Sequence, residues 1–581
     1  MLAAKSAAGV LLAVMAARAE EVREYVSYTA AGVKSRGFIS YDSSRCTASS
    51  KCPGVVIIPD WDGMNQYEMD RACMLSSLGY VAFAADIYGV DIVNAWEGDG
   101  TFTDYRTASS MHRQDATLYM GKTVAGIEVL AAYDFVDDAK LGAIGYCFGG
   151  TGVINLALAG YGGTYKVPSG LMGVVAYHAG ATGLLNATDF TPSGRPQLLV
   201  HHGVADGAIP NATMAQMELD LEAVSAIYEV QRYGSGVGHG FTSWGGPAYE
   251  ARADRRSWSS TTSFFADLFE GYAAPSKPPA PADPMRSESV SYMADGVSCT
   301  GFLIYDTSKC SDTSKCPGVL VIQDWNGMNT YEMDRAHMLA ALGYVAFAAD
   351  IYGDEIVNSW EDTPSMNDFI NASGQHLQDA TLYMSKIVGG LTQLSSYNFV
   401  DTTKLAAIGY CFGGTGAINL AIAGHGGAYA VPTGLLGVVA YHSGALGLLR
   451  AVDFSPASRP KLYIHQGRSD PAIPMEAMTA LEGDMEAQDA EFDIVWYGHS
   501  VGHPFTGWGG FAYDARADHR SWLSTESFLS EIFNGTTTGS NKPSQCMDNS
   551  GSRGNTESTD AAPVNSLAPC MFFTLLIALV H

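Results

Sequence analysis

Five short, unbroken apolar runs punctuate the first half of the chain: VVIIP at residues 55–59, YVAFAA at 80–85, LGAIGY at 141–146, GVVAYH at 173–178 and QLLVHH at 197–202. A run of this length that is apolar at nearly every position has no solvent face. It predicts a strand buried on both sides, as in a parallel sheet lying under helices. Between the runs, apolar positions recur at helical spacing, predicting helices over residues 65–78, about 110–132, 149–159, 212–226 and 249–269. Strand alternating with helix predicts an α/β domain whose functional side chains gather at the carboxyl ends of the strands.

The whole pattern is then written again. VLVIQ, YVAFAA, LAAIGY, GVVAYH and KLYIHQ follow in the same order, each 264 residues after its counterpart. The chain therefore reads as two tandem α/β domains, residues 20–270 and 286–535, each a mostly parallel sheet covered by helices on both faces. Residues 271–285, rich in proline and alanine, predict an extended, semi-rigid linker between two separate bodies. Neither copy lacks a motif that the other has, so two independent sites are expected.

Candidate chemistry sits where these strands end. The third run leads into Gly145-Tyr146-Cys147-Phe148-Gly149, and its repeat into Gly409-Tyr410-Cys411-Phe412-Gly413. Small residues two places either side of a nucleophile are what a sharp strand-to-helix turn requires, because larger side chains would collide there. The helix that follows points its positive end at the sulfur and favours thiolate, and the N–H of Phe148 or Phe412 is placed to form half of an oxyanion hole. An aspartate and then a histidine follow at equal spacing in both copies: Asp206 and His239, Asp470 and His503. Cysteine, acid and base in that order is the chain order of an α/β-hydrolase triad. His239 and His503 lie on glycine-containing loops before the last helix, which permits them to reach the nucleophile. His178, His201 and His202 end strands and read as core or supporting residues. His202 is discounted because its counterpart is Gln466.

Composition adds exclusions. A net charge of −27 over 581 residues argues against nucleic acid or an anionic membrane surface as partner. No cofactor or metal motif is found; Cys46 and Cys52, like Cys310 and Cys316, are six residues apart across a polar loop and read as disulfides, since neither pair has a second pair at zinc-ligand spacing. No CxxC accompanies the elbow, which weakens a redox reading. Residues 1–19 read as a secretory signal, the alternative being a buried first helix. Sequons stand at Asn186, Asn211, Asn371 and Asn534. A polar stalk at 536–560 should be disordered, and residues 561–581 match a GPI-type attachment signal, with a short membrane anchor as the alternative. Together these ends predict an extracellular protein whose only membrane contact is a C-terminal anchor.

The segments IPDWDGMNQYEMDRA, AADIYG, GYCFGG, GVADGAIP and GHGF make each copy resemble a dienelactone hydrolase domain, the cysteine-nucleophile branch of the α/β-hydrolases. The resemblance implies triads of Cys147, Asp206 and His239, and of Cys411, Asp470 and His503. It places a cysteine-tuning acid at Asp60 and Asp324, where the family has glutamate, and a second oxyanion N–H at Trp61 and Trp325. The arginines that hold a carboxylated substrate in the family are replaced: acids follow AADIYG, and Ser243 and Gly507 stand four residues beyond the histidines. Arg106 and Arg113 are substitutes in the first copy only, because the second has Ile370 and Leu377. The expectation is a hydrolase for neutral small-molecule esters or lactones. The rival reading is a non-catalytic surface module for binding or adhesion.

Overall fold

The computed structural model describes residues 21–92, 101–180, 184–272, 275, 284–357, 365–443, 448–450, 453–454, 458–535, 542 and 546. The expected signal at 1–19 and attachment signal at 561–581 lie outside the described residues. No helix among the described residues is long and apolar enough to cross a membrane.

Among the described residues each copy contributes eight strands. In the first they are β1 (Glu21–Ala30), β2 (Val33–Asp42), β3 (Cys52–Ile58), β4 (Val81–Ala84), β5 (Val136–Tyr146), β6 (Leu171–Tyr177), β7 (Gln197–Gly203) and β8 (Tyr228–Tyr233). In the second they are β9 (Met285–Ala294), β10 (Val297–Asp306), β11 (Cys316–Ile322), β12 (Val345–Ala349), β13 (Val400–Tyr410), β14 (Leu435–Tyr441), β15 (Lys461–Gly467) and β16 (Phe492–Tyr497). From β4 through β3 and β5 to β8 the pairing is parallel, while the β1–β2 hairpin adds antiparallel to β4. The five apolar runs supply β3 to β7, and their residues are buried nearly throughout. The hairpin and β8 lie outside those runs. Strand β1 mixes polar and apolar residues at the sheet's outer edge, and β8 (YEVQRY) carries three polar side chains.

The reason β8 is buried despite those side chains is the main departure from expectation. Strands β8 and β16 pair antiparallel, Asp493 opposite Tyr233 and Tyr497 opposite Glu229, so the two copies share one 16-stranded sheet. Separate bodies on a linker are thus corrected to a continuous sheet. Buried ion pairs close the seam. Arg232 bonds Glu218 (2.8 Å) and Glu482 (3.0 Å), and Glu218 also takes Arg468 (2.8 Å). Asp493 receives Arg252 and Arg256 at 2.6 Å each, and Glu229 receives Arg516 (2.9 Å) and Arg520 (3.2 Å). Charged residues on a strand otherwise argue for solvent exposure; here each meets an opposite charge from the other copy.

Smaller corrections follow. The helix expected over about 110–132 is two helices, Phe102–Gln114 and Ala116–Ala131, because Asp115 leaves helical geometry and caps the second through Leu118 N–H. The linker's last residue, Met285, already belongs to β9. In the stalk expected to be disordered, Cys546 is buried: it is bridged to Cys73 and its N–H donates to Asp70 (3.1 Å). The expected Cys46–Cys52 and Cys310–Cys316 bridges are formed.

Candidate active site

Strand β5 ends at Tyr146, and the helix Phe148–Ala159 begins at once, with Cys147 as its N-cap at φ 47° and ψ −107°. Cys411 stands between β13 and the helix Phe412–Ala423 with φ 51° and ψ −110°. A non-glycine residue in such a conformation is strained and presents its side chain on the apex of the turn. A side chain at Gly145 would strike the Gly149 carbonyl, and one at Gly409 the Gly413 carbonyl, which is why this turn requires glycine there.

The sequence-predicted residues converge. His239 Nε2 lies 3.1 Å from Cys147 Sγ, and its Nδ1 lies 2.8 Å from Asp206 Oδ2. In the second copy the corresponding distances are 3.0 Å and 2.8 Å for His503 with Cys411 and Asp470. Backbone N–H groups hold the acids: Ala208 (2.8 Å) and Ile209 (3.0 Å) donate to Asp206 Oδ1, and Ala472 (2.8 Å) to Asp470 Oδ1. An imidazole between a thiol and a carboxylate can move a proton off sulfur and hold the resulting charge.

Asp60 and Asp324 also reach the sulfur despite being a methylene shorter than glutamate. Each carboxyl lies close enough to the sulfur of Cys147 or Cys411 for the two groups to influence each other's ionisation. Burial raises both carboxyls above the usual carboxylate range. Burial, and then the adjacent Asp324 charge and hydrogen bond, push the Cys411 thiol well up, against the smaller lowering by Phe412 N–H. The expected lean toward thiolate is opposed at Cys411, where burial and a neighbouring acid outweigh the Phe412 N–H at the start of the helix. The Trp61 and Trp325 N–H groups, expected to line an oxyanion hole, are bonded to their own acids, Asp60 Oδ1 and, at 2.5 Å, Asp324 Oδ1. A substrate oxygen reaches them only once that carboxylate turns away.

Supporting groups surround these residues; Glu68, Glu332 and Arg71 escaped the sequence reading, whereas His178 already reads there as a core or supporting residue. Glu68 accepts from the N–H of Asp60 (3.4 Å) and Asn65 (2.9 Å), and Glu332 from Asp324 (3.1 Å) and Asn329 (2.9 Å). Burial pushes Glu332 up to about 8. The Asn-x-x-Glu capping box in both copies was the available signal. His178 Nε2 pairs with Thr242 Oγ1 (3.0 Å) and His442 with Thr506 (2.9 Å), behind the rings of His239 and His503. Arg71, bound to Asp254 (2.6 Å), donates to the Thr242 carbonyl (3.3 Å) and steadies the loop that carries His239.

Beside the second site lies a cavity of about 230 Å³, lined among others by Asp324, Asn326, Tyr331, His442, Pro504 and Trp508, with no lysine or arginine among its lining residues. In the first copy Asp62 replaces Asn326, with its carboxyl pushed up to about 7 by burial and by Asp60. Arg113 lies over the Phe148 ring, 5.4 Å from its centroid, where the second copy has Leu377.

The sequence profile of the Dienelactone hydrolase family matches this chain twice, over residues 43–269 and 305–533. The chain belongs to the dienelactone hydrolase family. It is a hydrolase acting on ester bonds, built as a tandem pair of dienelactone hydrolase domains with α/β folds. Among relatives, an uncharacterized protein of Caenorhabditis elegans is 28% identical over 155 residues, 26% of this chain and 92% of its own length. A probable 2-oxo-3-(5-oxofuran-2-ylidene)propanoate lactonase of Bradyrhizobium sp is 26% identical over 218 residues, 37% of this chain and 84% of that protein. A crystal structure of a dienelactone hydrolase-like promiscuous phosphotriesterase from metagenomic libraries is 28% identical, covering 43% of this chain and 99% of that one, at a TM-score of 0.37.

Proposed function

We propose that this dienelactone hydrolase family protein opens neutral carboxylic esters or lactones through a cysteine nucleophile, with one complete site in each copy. The observation that carries the reading is the pair of Cys–His–Asp trios, superimposable in their distances, at the carboxyl ends of the two halves of the sheet. In each, His239 or His503 takes the thiol proton as sulfur attacks the carbonyl carbon. The helix-start N–H of Phe148 or Phe412, with that of Trp61 or Trp325 once its acid turns away, receives the developing oxyanion. The protonated imidazole then gives its proton to the departing alkoxide, leaving a thioester. Water, deprotonated by the same imidazole, hydrolyses the thioester and restores the thiol.

Neutral substrates are favoured by charge. Asp324 and Glu332 line the second cavity with no lysine or arginine among the lining residues, and Glu332, at about 8, is largely uncharged at neutral pH. A carboxylate buried there would meet desolvation beside Asp324 with no lysine or arginine to offset it. The test is hydrolysis of small activated esters by the full chain and by Cys147→Ala, Cys411→Ala and the double variant. Each single variant should lose one site's share, and the double variant should fall by about a thousandfold or more. An unimpaired double variant would end the cysteine reading, and faster turnover of carboxylated than of matched neutral esters would end the neutral one.

Export and C-terminal surface attachment, with glycosylation at the sequons, belong to the same proposal. They are supported by the signal-like start, the disulfides and the terminal apolar segment. Release from intact cells by a phosphatidylinositol-specific phospholipase is the expected result; a mature protein that retains Met1-Leu2-Ala3 contradicts export by cleavage.

A further inference from the structure

The Cys–His and His–Asp distances of the two trios agree to within 0.1 Å, yet the residue behind each acid differs. In the second copy Gln466, at the end of β15 and fully buried, donates from Nε2 to Asp470 Oδ2 at 2.9 Å. That oxygen also accepts the bond from His503, so it serves two donors. In the first copy the position is His202, equally buried on β7, whose Nδ1 stands 4.0 Å from Asp206 Oδ2. Neither ring nitrogen of His202 makes a hydrogen bond among the described residues, and Asp206 Oδ2 is left to His239.

We propose that residue 202 in the first copy and residue 466 in the second are positioning residues that set how firmly the trio's acid holds its histidine, tuning the two sites to different pH ranges. This rests on the trios acting as the proposed function describes. A second donor on a carboxylate oxygen steadies it and draws off part of the charge that supports an imidazolium. At Asp470 the Gln466 amide does this at every pH, because it does not titrate. At Asp206 the neighbour is an imidazole. The charged and titratable groups that act on it include Asp206, Arg232 beside it on β8, His239 and His178. Burial is the largest influence and holds His202 down to about 4; Asp206 pulls upward, while Arg232 and His239 push downward. At neutral pH His202 is therefore uncharged. In acid it becomes a cation within reach of Asp206 Oδ2, competing with His239 for the same oxygen. Trp496 occupies the place of Arg232 beside Gln466, so that charge, too, is confined to the first copy.

The test uses the full chain with one site silenced: Cys411→Ala isolates the first, Cys147→Ala the second. Into these go His202→Gln and Gln466→His, each the residue the other copy already accommodates, together with Gln466→Leu. Two readouts are taken against pH: kcat and KM on a neutral activated ester, and the rate at which iodoacetamide alkylates the remaining site cysteine. The expected result is that the acid limb of the two single-site profiles exchanges with the His/Gln swap while KM stays put. Gln466→Leu should lower kcat roughly tenfold, the loss of a hydrogen bond to a charged group. Profiles indifferent to the swap, or variants changed only in KM, overturn the proposal. The alkylation profile keeps the two readings apart. If no ester is turned over but alkylation still exchanges its pH limb, the hydrolase reading falls and the tuning stands; turnover with unmoved profiles does the reverse.

Discussion

At the scale of single residues, the site is governed by buried acids rather than by the helix end beneath the sulfur. Burial, and then the neighbouring Asp324 charge, hold the Cys411 thiol well above its ordinary range. Removing the charge while keeping the shape should therefore ease ionisation: the thiol's folded-state value drops toward the ordinary one, and more thiolate is present at neutral pH. Asp324→Asn is expected to speed alkylation of Cys411 by about tenfold at pH 7, as a roughly tenfold rise in the thiolate fraction would. A rate equal to or below that of the parent would mean that Asp324 activates the thiol instead. Asp60 and Asp324 are legible as the acids at this position because they directly follow the first apolar run of each copy. Glu68 and Glu332, no less buried, are not, because a glutamate in the first turn of a helix reads as a cap on an exposed surface.

At the scale of elements, the strand-to-helix turn is where local sequence and local geometry agree most closely. Strand β13 delivers Gly409 under the first turn of the helix Phe412–Ala423, and a side chain there meets main-chain atoms of Gly413 and Gly414 that cannot rotate away. Gly409→Val should destabilise the fold by about 1–3 kcal/mol and displace Cys411 from His503. Thermal melting and loss of second-site activity in a Cys147→Ala background check this; full activity there would show that the turn can open. The five apolar runs are equally legible, because a strand apolar at consecutive positions on both faces has no alternative to burial on both. What could not be read is β8. Glu229, Gln231 and Arg232 punctuate it as they would a solvent-facing edge.

At the scale of the whole molecule, that edge is the seam. Asp493 lies buried between Arg252 and Arg256 of the other copy, and its loss leaves two buried guanidinium groups short of a partner. Breaking a buried pair from one side costs more than the pair contributed, so Asp493→Ala should destabilise the protein by about 3–5 kcal/mol. Because the sheet is continuous, both copies should unfold in one calorimetric transition, lowered as a whole by the variant. Two resolved transitions would instead mean that the halves are energetically separate, as a flexible proline-rich linker would have it.

What the sequence determined by itself is everything that depends on local pattern: two copies at one offset, the strand–helix alternation, the glycine-flanked cysteine turn, and the order of cysteine, aspartate and histidine. These follow from periodicity and from steric demands within a few residues, which any fold must respect. The tertiary structure decided what depends on residues far apart in the chain. It placed β8 against β16, turned apparently surface charges into buried ion pairs, and set Asp324 against the thiol so that desolvation outweighed the helix end. It also gave Asp470 Oδ2 a second donor, Gln466, whose counterpart His202 makes no hydrogen bond to Asp206 Oδ2. Each of these is a balance between desolvation and a specific partner, and the partner comes from a strand or loop whose proximity no local pattern records.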